Sequence, residues 1–220
     1  MSWFNKIIGS TSGNVAEVNS DKAQVVVDIA PAGASYSTTA KTGTIAAAAA
    51  AGAAVFAMRL NPGSTKKAYI TAMKLKYTTI VAYTVPITQT RSMVLTRGAG
   101  AAAASGTSMA TAVKKDTAYA ASQTDVSMGG DVRIAAAAAL TVTGITWEAQ
   151  NFAEITLAHV GTAGAFYEHI FEFDSRAHAV ELNAGEVLGI RVGNTAMDAA
   201  GTWSLGVEVS WREGTNDYEA

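Results

Sequence analysis

The 220-residue chain has no cysteine, only three prolines and few charges. Without cysteine there is no disulfide framework and no thiolate zinc site. That absence fits folding in a reducing cytosol, and it equally suits later life in oxidising surroundings. Charged residues make up 15% of the chain, against about 25% in an average globular protein. Sixteen basic and eighteen acidic residues leave a net charge of −2, and no Lys/Arg run exceeds two. A nucleic-acid groove needs clustered positive charge, so the composition argues against DNA or RNA as a partner. Long hydrophobic runs are missing too. The longest, Ile45 to Met58, is mostly alanine, contains Gly52 and spans fourteen residues, short of the roughly 20 that a membrane helix needs. The opening MSWFNKIIGS lacks the apolar core of a secretory signal. The expectation is a chain neither exported by a signal nor spanning a membrane.

What fills the gap is alanine, glycine, threonine and valine. A low-charge, Ala-rich surface is costly for a free monomer and less so where it meets other subunits. Residues 1–20 read as an extended N-terminal arm: Gly9, Ser10, Ser12, Gly13 and Asn14 break periodicity, and Trp3, Phe4, Ile7 and Ile8 supply apolar anchors for a partner. Residues 21–220 read as one domain. Strand patterns are expected at Ala23 to Ile29, Ala68 to Tyr83, Val85 to Thr96, Asp131 to Ala136, Leu140 to Trp147, Ala153 to His159, Phe166 to Phe173, Ala179 to Leu182, Val187 to Val192 and Thr202 to Trp211. The last alternates most cleanly, with Trp203, Leu205, Val207, Val209 and Trp211 on one side and Ser204, Gly206, Glu208 and Ser210 on the other. Thr42 to Met58 is expected as two strands around a bend at Gly52, a helix being the alternative because alanine favours it. Gly98 to Gly106 is a low-complexity loop opening an irregular excursion over 98–130. Many short strands and no long amphipathic helix predict an all-β antiparallel sandwich, jelly-roll-like in its preferred form.

Each candidate for chemistry has a plainer reading beside it. Ser105-Gly106-Thr107-Ser108-Met109-Ala110 resembles the nucleophile motif of subtilisin-like proteases, with Ser108 as the attacking serine. That family continues with proline, where Thr111 stands here, and its acid and histidine precede the serine. Here His159, His169 and His178 all follow it, so the base is missing and a small-residue loop is the better reading. The histidines lack the spacing of a cupin metal site. Asp116, Asp125 and Asp131 form no calcium-loop pattern and read as loop acids. Gly98, Gly100 and Gly106 do not make a phosphate loop. Trp147, Trp203 and Trp211, with Tyr167 and Phe171, are either a sugar platform or core, and core is the commoner use. No catalytic residue, metal ligand or cofactor site is expected.

Several blocks together resemble tailed-phage virion proteins: Gly13-Asn14-Val15-Ala16-Glu17-Val18-Asn19, Thr44 to Ala47, Phe56 to Arg59, Ala68 to Thr71 with Lys74 to Thr79, Leu182 to Leu188, and Trp203 to Glu213. The last two look like the closing strands of a viral or tumour-necrosis-factor-like jelly roll. The resemblance implies a non-enzymatic particle component, often a homotrimer. The kind it implies first is a capsid decoration (cement) protein, located in the virion after assembly in the host cytoplasm. The partner implied is the major capsid protein, reached partly through the arm. A receptor-binding or fibre/spike component and a cupin-like or carbohydrate-active enzyme are the alternatives.

Overall fold

A computed structural model describes residues 34–46, 49–83, 91–157, 162–173, 180–197 and 200–215, together with the backbone pairing of 7–8 and 15–16. In chain order the strands are β1 (Ile7–Ile8), β2 (Val15–Ala16), β3 (Ala34–Lys41), β4 (Ile45–Ala46), β5 (Ala54–Arg59), β6 (Lys67–Val81), β7 (Ser92–Gly100), β8 (Thr107–Ser108), β9 (Val113–Lys114), β10 (Asp131–Ile134), β11 (Ile145–Thr156), β12 (Phe166–Glu172), β13 (Val180–Leu182), β14 (Glu186–Val192) and β15 (Thr202–Gly214). One 3₁₀ turn covers Val126–Met128. Among the described residues no helix is long and apolar enough to cross a membrane.

The chain divides into two units, Met1–Ala32 and Gly33–Ala220. In the first, β1 and β2 pair antiparallel, Ile7 opposite Ala16 and Ile8 opposite Val15. The expected anchors Trp3 and Phe4, the side chains of Ile7 and Ile8, and the expected strand Ala23 to Ile29 lie outside the described residues.

The second unit is an antiparallel sandwich. One sheet runs β11-β7-β14-β5-β10-β8 and the other β12-β6-β15-β3-β9, with β13 on β6 and β4 on β15. The central strand of the second sheet, β15, behaves as its alternation predicts. Trp203, Leu205, Val207, Val209 and Trp211 are buried, while Glu208 on the opposite face is exposed. Its neighbour β6 buries Met73, Leu75 and Tyr77. From the facing sheet come Phe56, Met58, Met93, Leu95, Leu188 and Ile190. Stacked ring pairs, Tyr77 on Trp203 at 5.4 Å and Tyr36 on Trp211 at 5.9 Å, tie neighbouring strands together, each worth about 0.5–1.5 kcal/mol beyond burial.

One strand is added and three expectations are corrected. Strand β3 is absent from the strand patterns read above, because its inward residues, Tyr36, Thr38 and Ala40, are small or polar but for one. Leu140 to Trp147 and Ala153 to His159 are not two strands. A single edge strand, β11, runs through the polar stretch between them, with irregular register at Asn151. Its wet residues hid it, since an edge strand has little to bury. Gly98 to Gly100 is strand rather than loop and pairs with Ile145 to Trp147. The first half of Thr42 to Met58 shrinks to β4, although the bend at Gly52 (φ +74°) is as expected. The excursion is irregular but not free. It lays β8 on the edge of one sheet and β9, four residues on, on the edge of the other.

Candidate functional site

The sequence motif that invited a catalytic reading is a turn. Ser105 and Gly106 both have positive φ, +64° and +66°. A Cβ on Gly106 would lie 2.4 Å from the Ile134 carbonyl oxygen, so only glycine fits there. Ser105 Oγ accepts the Thr141 amide at 3.1 Å, and its carbonyl accepts from Arg133 at 3.2 Å. Ser108 is exposed on β8, opposite Arg133. His169 sits on β12, the far edge of the other sheet, in a row of rings with Tyr167 and Phe171. The structure does not bring these two residues together. His159 and His178 lie outside the described residues.

The loop acids are held locally. Asp125 accepts the Ala112 amide at 2.7 Å, Asp116 accepts the Ala118 amide at 2.9 Å, and Asp131 pairs with Arg133 at 2.8 Å. Burial pushes the Asp131 carboxyl up, and Arg133 opposes it. Among the described residues no three His, Asp or Glu side chains converge on a metal position.

Two buried polar clusters escaped the sequence. Glu213, at the end of β15, accepts from Ser122 Oγ at 2.5 Å, the Gln123 amide at 3.0 Å and Trp211 Nε1 at 3.1 Å. Tyr36 donates to the Ala120 carbonyl at 3.1 Å beside it. The pair latches residues 120–124 of the excursion onto the sandwich. Burial raises the Glu213 carboxyl above its usual range, with the three donors opposing, and burial holds Tyr36 up at about 12. The other cluster joins the Tyr77 and Tyr83 hydroxyls at 2.5 Å, with the Arg91 guanidinium over the Tyr83 ring. Both clusters bond and fill space within the fold.

Trp203 and Trp211 are core, as the commoner reading has it. Trp147 lies elsewhere, on the outer face of the first sheet. Its ring covers Gly98 and Gly189, where an added Cβ would fall 2.8 Å and 2.5 Å from ring carbons. The Arg191 guanidinium lies 5.0 Å from its centre. The platform is therefore filled by the chain itself.

On the outer face of the other sheet a place is left open. Register puts Lys41 of β3, Gly206 of β15 and Lys76 of β6 in one row. Phe166 of β12 and Thr78 of β6 stand in the next. These five residues line an open-sided dish of about 480 Å³. Two strand spacings separate the lysines, roughly 10 Å at the backbone. Phe166 is 64% exposed, with the Lys76 ammonium 5.1 Å from its ring centre. The nearby Glu168 is held by Lys74 at 3.0 Å. Neither Lys41 nor Lys76 has a carboxylate partner among the described residues. The dish joins four strands far apart in the chain, and its one sequence signal is the glycine at the middle of the polar side of β15. No protein-family model matches the chain, and no curated protein matches it in sequence.

Proposed function

We propose that this chain is a structural component of a phage particle, a capsid decoration (cement) subunit that stabilises the shell through contacts with its own copies, as a trimer, and with the major capsid protein. One observation carries the reading, the order of the long strands. Numbered one to eight along the chain, β3, β5, β6, β7, β11, β12, β14 and β15 lie 6-3-8-1 in one sheet and 5-4-7-2 in the other. That order agrees with the double Greek key of a jelly roll, a fold at home in viral shells, and so supports the reading. The low charge and the exposed apolar side chains of the two edge strands, Phe152 on β11 and Ile170 on β12, fit a surface made to be covered by neighbours. The arm, through Trp3, Phe4, Ile7 and Ile8, is the segment assigned to reach a neighbouring subunit, and many weak contacts then add by multivalency.

Quantitative mass spectrometry of purified particles tests this by counting copies of the chain. Hundreds per particle support shell decoration, and none overturns the reading. A few or a few dozen replace it with a receptor-binding or fibre component, the second reading, which the open dish favours. Removing residues 1–20 is expected to weaken particle binding while the sandwich stays folded; undiminished binding would remove the arm from the account.

A further inference from the structure

Glycine inside a central strand needs a reason, because it weakens the strand and gives it nothing to pack. At Gly206 the described residues supply none. Its φ is not positive, and an added Cβ would meet nothing nearer than the Lys76 Cβ at 3.7 Å, an ordinary contact. Neither backbone nor packing requires glycine there. The remaining reason for a strand glycine is the close approach of something else. The surroundings say what that is. Two ammonium groups flank the open floor, each on a flexible stem long enough to lean over it. Thr78 offers a hydroxyl and Phe166 an exposed apolar wall. A volume of about 480 Å³ falls in the range of small-ligand sites.

We propose that the dish over Gly206 binds an anionic sugar unit of a polysaccharide, its carboxylate or sulfate held between Lys41 and Lys76 and the apolar face of its ring against Phe166. The cations supply charge-assisted hydrogen bonds, and the glycine supplies the room. The inference does not rest on the particle reading, since a surface sugar site is compatible with any role for the sandwich.

Isothermal titration of the full chain tests it with four probes: an oligogalacturonate, a sulfated heparin oligosaccharide, a neutral maltooligosaccharide and a polyglutamate peptide. Binding of one or both acidic saccharides, with the other two silent, is expected, and the tighter of the acidic pair identifies the anion. The Gly206→Val variant fills the floor and should bind about ten-fold more weakly or worse while melting no lower than the parent. Replacing both Lys41 and Lys76 by glutamine should lose at least as much, because each charged hydrogen bond is worth about ten-fold or more. Replacing Lys114 and Lys115 by glutamine makes the same charge change elsewhere and should leave binding intact. If Gly206→Val folds poorly, Phe166→Ser, an exposed substitution, reads the same site. The proposal is overturned if no acidic saccharide binds, if polyglutamate binds as well, if the Lys114/Lys115 variant loses as much, or if the dish variants bind like the parent.

Discussion

Gly189 and Gly206 stand in central strands of the two sheets, each on an outward face, and their surroundings differ. Gly189 lies under Trp147, whose ring carbons leave no room for even one methyl group. Over Gly206 none of the described residues closes the space. The first glycine is explained by its own molecule, and the second is not. A strand glycine read from sequence alone says only that space is wanted above it. The structure says whether the chain already fills that space.

The largest expected effect comes from breaking the covered side. Gly189→Val should cost about 1–3 kcal/mol through overpacking, measured by urea unfolding. Combining it with Trp147→Ala should make the valine nearly harmless, a coupling that a double-mutant cycle reads directly. Additive losses would mean that Trp147 is not what Gly189 accommodates. A second test stays on β15, comparing its covered end with its open middle. The Glu213 carboxyl lies under the excursion and its pKa is raised by burial. A raised carboxyl favours the protonated form in the fold. Its stabilisation is therefore full below the unfolded pKa of about 4.3 and is lost as pH rises through the higher folded value. The stability of the parent relative to Glu213→Gln should fall across that window, followed by denaturant unfolding at stepped pH, and a flat difference would show the carboxyl is not desolvated.

Smaller still is Gly206→Val, which should gain about 0.5–1 kcal/mol because strand glycine is intrinsically weakening. A loss of stability there would mean the open face is less open than its geometry indicates. The smallest effect belongs to the half-exposed Lys74–Glu168 pair beside the dish. Replacing Lys74 by methionine should change stability by less than about 1 kcal/mol in thermal melts. A larger loss would mean that the pair is less screened by solvent than its exposure indicates.

The strands that large side chains announce were legible in the sequence. β15 and β6 place Trp203, Leu205, Met73 and Tyr77 at every second position, and no helix produces that pattern. β3 was hidden because threonine and alanine hold the inward positions next to Tyr36. β11 was hidden because an edge strand is wet on both faces and its register slips at Asn151. The dish was illegible for a different reason. Its residues come from β3, β6, β12 and β15, and only pairing register brings Lys41 beside Lys76. The Ser105 to Ala110 motif shows the converse: six residues matched a catalytic pattern, and the geometry that serves them is a tight glycine turn.

The excursion also bears on how copies can join by their rims. On its flank β8 and β9 each cover two residues of the strand inside them, while on the other flank the outer rims of β11 and β12 are paired with no strand among the described residues. The flank opposite the excursion therefore offers a second copy the longer uninterrupted ladder, and growth into an endless ribbon would have to use the flank that β8 and β9 already interrupt.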